Sequence, residues 1–341
     1  MRLEAAAYGG RPVYFELIDA WDEPVEQGAS ISRFTDRALT VLLLTVFVTV
    51  MVGSALLAWR NLRLGRGDRR GASRLAAFVF AALTLRWLLW WHHVPTEDEF
   101  FNLLAHVQRT LFWSCFFWVV YVAFEPFVRR RWPHRIISWS RLMAGAFGDP
   151  LVGRDILVGA VVGAAVILCN FFLADLVPQW LGYPPRVPWF DFPATQLLGI
   201  RSAAYGIVQQ FFAALLQPFI LLFILLLLYI VLRRERLAAL ALWLIAAVAL
   251  SLTHETLLSV PYACLSAFLV VWLLYRHGLL ALISAVYFLH LNIFFPITSE
   301  FTAWYAGDFV VGLGLSLALA VYAFRVSLGG RPLFRGGLLE D

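Results

Sequence analysis

Four polar side chains could do chemistry if the fold gathers them: His254, Glu255, His290 and Asn292. Imidazole and carboxylate are zinc ligands and the usual partners of general acid–base catalysis. Their spacing does not favour a metal. His254–Glu255 opens like HEXXH, but Leu258 stands where the second histidine belongs. Histidines at helix ends near water also serve as plain interface residues, so both readings stay open, and neither a metal nor a cofactor is expected. Arg201 precedes an apolar segment in which Gln210 and Gln217 recur two turns apart on one helical face, with Gln209 beside Gln210. A further pair, Arg86 and Arg109, lies inside apolar segments, where a charge is costly and marks a functional site by default.

The elements that carry these residues follow from composition. The chain of 341 residues is 61% hydrophobic and 14% charged, with a mean hydropathy of +0.77, too apolar for a soluble domain of this length. About 20 apolar residues cross a bilayer as a helix. Segments of this kind are expected at Ala38–Trp59, Leu75–Trp91, Phe100–Phe127, Ile156–Val177, Ala203–Leu232, Leu237–Leu252, Leu257–Tyr275, Leu279–Phe295 and Ala303–Phe324. The fold class is therefore all-α, a polytopic transmembrane bundle of about nine spans.

All 27 basic residues are arginine, which excludes any mechanism that needs a lysine. Nineteen of them fall in alternate gaps or in the C-terminal tail, from Arg60 to Arg74, Arg129 to Arg154, Arg233 to Arg236, at Arg276, and from Arg325 to Arg335. Positive residues stay on the cytoplasmic side, so the N-terminus is expected outside and the C-terminus inside. In that frame Arg86 and Arg109 lie roughly 8 and 14 Å below the outer surface on adjacent antiparallel helices. Two cations so close call for an intervening carboxylate or anionic ligand, with Asp175 and Glu255, both near outer span ends, as the candidate carboxylates; the alternative is that both snorkel to the interface.

Three regions are expected: an outer tail over residues 1–37, a helical domain over 38–326 and a cytoplasmic tail over 327–341. In the first, Arg11–Ile18 follows Gly9–Gly10 and has strand-like composition, as in a hairpin. A strand-bearing outer tail without an export signal points either to a longer polypeptide or to a short tail that crosses unaided. Within the helical domain, residues 128–155 combine Arg129, Arg130, Arg131, Arg135 and Arg141 with Trp132–Pro133 and an apolar face. That pattern fits an amphipathic helix in the headgroup layer, its arginines on anionic lipid, or simply a basic loop. The cysteines Cys115, Cys169 and Cys264 are isolated and read as packing residues.

No GXSXG, CXXC or phosphate-binding loop is present, and no nucleic-acid partner is expected. Three stretches, Ala58–Gly71, Glu125–Asp155 and Phe295–Phe334, resemble the C-terminal membrane module of bacterial receptor-type serine/threonine protein kinases. The likeness runs from about Gly10 to the end of the chain and includes RPVYFELI. It implies a multi-pass protein of the bacterial inner membrane, with membrane lipids and a serine/threonine kinase in cis or trans as partners, and a non-catalytic sensory or scaffolding role. The kinase itself is absent, and its lysine with it. A weaker likeness is to the CAAX-processing intramembrane proteases, whose final motif His290 and Asn292 echo. That family's paired glutamates are missing, since no two glutamates are adjacent anywhere in the chain.

Overall fold

The computed structural model describes residues 2–8, 11–18, 29–91, 93, 96–182, 199–253, 257–295, 298, 301–302 and 306–330. The chain opens with an antiparallel hairpin, β1 (Arg2–Tyr8) and β2 (Arg11–Ile18), paired Arg2 with Ile18 and shifted in register between Ala6 and Ala7. The helices follow: α1 (Ala29–Arg63), α2 (Arg69–Trp90), α3 (Glu97–Arg131), a short α4 (Ile137–Met143), α5 (Pro150–Cys169), α6 (Val177–Trp180), α7 (Ile200–Leu232), α8 (Glu235–Ser251), α9 (Val260–Arg276), α10 (Leu279–Phe294) and α11 (Ala306–Ser327). A π-helical segment, Asn170–Leu176, joins α5 to α6.

Each expected span coincides with a helix, but among the described residues six helices are long and apolar enough to cross a membrane by length and composition: Arg37–Arg63, α2, α3, Pro150–Trp180, α7 and α11. The other three, α8, α9 and α10, have 17, 17 and 16 residues. At 1.5 Å per residue they reach roughly 25 Å, short of a hydrocarbon core of about 30 Å. Helix α10 is buried nearly all round, from Leu279 to Leu291. A helix that is apolar on every side and enclosed by its neighbours is a core element. In contrast, α1 and α11 turn unbroken apolar faces outward, with Val41 63% and Leu317 56% exposed. The face of α3 that carries Cys115 is also outward, so that cysteine is exposed rather than packed.

Between helices in lipid there is no hydrophobic drive, so small residues that let backbones approach decide the packing. Helix α5 meets α10 at Gly159 and Gly163. A Cβ at Gly159 would lie 2.4 Å from the Ala281 carbonyl oxygen, and one at Gly163 would lie 2.7 Å from that of Ala285. Near its start, α5 also packs on α11, where a Cβ at Gly153 would stand 2.6 Å from the Ala323 carbonyl oxygen.

The α1–α2 turn is locked to α3 by polar contacts. Pro126 sits inside α3 and cannot donate to the Val122 carbonyl one turn before it. Asn61, 2% exposed, reaches across from α1 and donates to Val122 O (2.9 Å) and Ala123 O (3.0 Å). Next to it, buried Glu125 accepts from the Asp68 backbone N–H (3.2 Å) and pairs with Arg129 (2.7 Å). Asp68 in turn caps α2 by accepting from the Gly71 N–H (2.8 Å).

The segment expected in the headgroup layer is a structural plug instead. Trp132, Arg135, Ile136, Ser138 and Trp139 are all buried, with Trp139 against Phe219 and Trp132 against Tyr229. Its apolar face belongs to the protein core because the helix is a single short turn pair wedged among α2, α5 and α10. Arg129, Arg130 and Arg131 remain exposed at the end of α3.

Two substitutions test this packing. Gly159→Leu should abolish the monodisperse folded protein in detergent size-exclusion chromatography, while Gly314→Leu, which faces open space, should leave it intact. Asn61→Leu should lower unfolding stability by about 1–3 kcal/mol, read by denaturant titration, because it orphans two buried carbonyls.

Candidate functional site

Three helices present one face each to a common space. On α2, Leu83, Arg86, Trp87 and Trp90 recur at helical spacing; on α3, Asn102, Ala105, His106, Arg109, Thr110 and Trp113 do the same. Helix α7 adds Tyr205, Gln209 and Phe212. The faces enclose two adjoining cavities of about 260 and 320 Å³ that share Arg86, His106 and Arg109 as their wall.

Arg86 is half-buried and donates from Nη1 to Gln209 Oε1 (2.7 Å), so it is held by α7 rather than snorkelling along α2. Arg109 is exposed. The aromatic wall is ordered by stacking: Trp87 lies parallel to His106 with centroids 4.7 Å apart, and Trp90 packs on Tyr205 at 4.6 Å. A ring nitrogen of His106 is 3.2 Å from Thr110 Oγ1. No carboxylate is among the described residues that line either cavity. The nearest acidic side chain in that turn, Glu99, is engaged by His93 Nδ1 (2.5 Å) and Trp91 Nε1 (3.0 Å). Two guanidinium groups on an indole-lined cavity have the chemistry to hold an organic anion: the charges can orient an anionic group, and the rings can cover an apolar or aromatic body.

The expected site residues separate in space. Arg86 and Arg109 do face one cavity. Arg201 is at its rim, donating to the Leu88 and Leu89 carbonyls (3.2 and 2.8 Å) and to that of Trp91. These are the unsatisfied last carbonyls of α2, so Arg201 is a cap for that helix. His290 and Asn292 lie on α10. A His290 ring nitrogen is 3.4 Å from the Gln217 amide of α7, while Asn292 donates to Phe288 O (2.7 Å) and lies 3.4 Å from Ser316 of α11. Those contacts tie α10 to its neighbours away from the cavity. Asp175, in the π-helical segment, does not line the cavity. His254 and Glu255 fall outside the described residues. Among the described residues, no group of three or more His, Cys, Asp or Glu side chains could hold a metal ion.

Of the headgroup candidates, Arg141 pairs with Asp149 (2.7 Å), and Arg135 is buried at 1% exposure against Glu235. Arg135 is therefore not part of the exposed basic surface. His106, Asn102, Trp87, Trp90 and Tyr205 carry no motif; their only sequence signal was recurrence at helical spacing beside the two intramembrane arginines.

No protein-family model, curated protein or solved structure matches the chain. Substituting Arg201 isolates the capping role. Arg201→Ala should speed amide hydrogen exchange across residues 86–91 at least several-fold while α5 and α10 exchange unchanged, as read by mass spectrometry.

Proposed function

We propose that this chain is a nine-span integral membrane protein, the shorter α8, α9 and α10 crossing within the shelter of the longer helices, with its N-terminus outside and its C-terminus inside. It acts as a non-catalytic sensory module of a bacterial signalling system and binds an organic anion from the outer side. The observation that carries the reading is the pair Arg86 and Arg109 on one aromatic cavity without a lining carboxylate. Arginine asymmetry supports the orientation, because the cavity then opens toward the outer leaflet and the arginine-rich turns toward the cell interior.

The partner reading rests on the likeness to kinase-linked membrane modules together with where the three stretches lie in this chain. Asn61 and Asp68 of the first engage α3 at Val122, Ala123 and Glu125, where the second begins; Arg74 just beyond the first donates to the Met143 carbonyl (3.2 Å). Tyr322 of the third donates to the Phe147 carbonyl (2.7 Å). Stretches that meet at one end of the bundle suit a common surface for a signalling partner, here a serine/threonine kinase in cis or trans.

The test uses the full chain in phosphatidylcholine nanodiscs with benzoate as the probe and tryptophan fluorescence as the readout. Benzoate should quench saturably, choline should not, and Arg86→Gln with Arg109→Gln should weaken the response about tenfold or more, from the loss of two charge-assisted contacts. Quenching that is unsaturable, or equal in the double variant, refutes the reading. Metal-dependent cleavage of a membrane peptide that His290→Ala abolishes would establish an intramembrane protease in its place.

A further inference from the structure

A third cavity, of about 460 Å³, opens at the opposite end of the bundle, where α8 begins, α9 ends and α5 starts. Its wall is made by His134, Arg135, Arg154, Glu235, Arg276 and His277, with the Tyr275 ring beside them. We propose that this pocket binds a phosphate group, with Arg135 as its buried anchor and Arg154 and Arg276 as its outer clamps.

Arg135 is the centre of the argument. It is 1% exposed, in the short turn Pro133–Arg135 after α3. Its guanidinium is fixed on every side but one. The plane lies over the Trp132 ring (4.5 Å) and the Tyr275 ring (4.4 Å), Nε donates to the Tyr275 carbonyl (3.1 Å), and Nη2 pairs with Glu235. Nη1 is buried and has no hydrogen-bond partner among the described residues. A guanidinium donor buried without an acceptor is costly, and a pre-oriented arginine with one free edge suits a phosphate oxygen. The backbone keeps it there: Gly278 has a φ of +97°, and a Cβ on it would meet the Arg135 carbonyl oxygen at 2.3 Å. The α9–α10 turn can close onto Arg135 only because residue 278 has no side chain.

The charges around the cavity favour an anion. Three arginines and one carboxylate, Glu235, line it; Arg154 also holds buried Asp155 at 3.0 and 2.8 Å, and the five groups together leave a net positive charge. Burial pushes the His277 imidazole below its usual value; Asp155 works against that shift, and Arg154 and Arg276 add to it. At neutral pH His277 therefore offers a hydrogen bond rather than a charge. The arginine-rich turns share this end of the bundle, so both a phospholipid headgroup and a soluble phosphate can reach it.

Two arms distinguish those sources, each read as the thermal midpoint of the full-length protein. In the first, nanodiscs contain phosphatidic acid in phosphatidylcholine; in the second, pure phosphatidylcholine nanodiscs are titrated with inorganic phosphate against chloride. Stabilisation in the first arm alone assigns a lipid headgroup, and stabilisation in the second assigns soluble phosphate. In either case Arg154→Gln with Arg276→Gln should raise the half-saturating concentration about tenfold or more. Both side chains are exposed, but Arg154 also neutralises buried Asp155. Arg276→Gln alone, free of that role, should therefore shift the half-saturating concentration in the same direction, and size-exclusion chromatography checks the fold of both variants. Arg86→Gln with Arg109→Gln should bind phosphate normally, so failure of the outer site leaves this one standing. Absence of stabilisation in both arms overturns the proposal. So does an effect that survives the pocket variant but disappears when the exposed Arg130 and Arg131 are changed to Gln, because that would be attraction to the exposed surface.

Discussion

In a hydrocarbon environment no water is at hand to satisfy a stray polar group, and most of this architecture answers that one constraint. Pro126 interrupts the hydrogen-bond ladder of α3, and Asn61 arrives from α1 to repair it. Helix α2 ends in open carbonyls, and Arg201 arrives from α7 to close them. Each repair comes from another helix, so satisfying the backbone also joins the helices. The bundle is held by what its broken helices lack.

Where no polar repair is needed, shape does the joining. Gly159 and Gly163 bring the α5 backbone into contact with Ala281 and Ala285 of α10, an approach that any side chain would prevent. This contact encloses α10 and explains how a helix of 16 residues can lie within a bundle of much longer ones. An enclosed helix is screened by its neighbours and need not present a full bilayer-length face to lipid.

The two cavities are built on opposite uses of arginine. In the α2–α3–α7 cavity, Arg86 and Arg109 lack a lining carboxylate, and uncompensated positive charge in a low-dielectric wall is the attractive feature. At the other end, Arg135 is compensated by Glu235 and by two aromatic rings, and a single unsatisfied edge remains. As proposed, the first would draw an anion through charge and the second through fixed geometry.

Much of the fold was legible in the order of residues. Apolar runs of about 20 residues place every long helix, because hydrophobic length is a local property. The strand-like RPVYFELI stretch falls on β2, since alternation and turn residues are local too. The two intramembrane arginines also announced themselves, since a charge among apolar residues is conspicuous without any structure. Other features depend on contacts between residues far apart in the chain, and these the sequence did not show. Residues 132–143 read as a surface helix, yet their tryptophans pack inward, because an amphipathic pattern cannot tell lipid from protein as its apolar partner. Arg135 and Arg130 look alike in sequence; only packing against Glu235, 100 positions later, separates a buried anchor from an exposed charge. The His290–Asn292 pair failed to join the arginines for the same reason. Composition dictates which segments avoid water, whereas the close approach of backbones dictates which side chains meet.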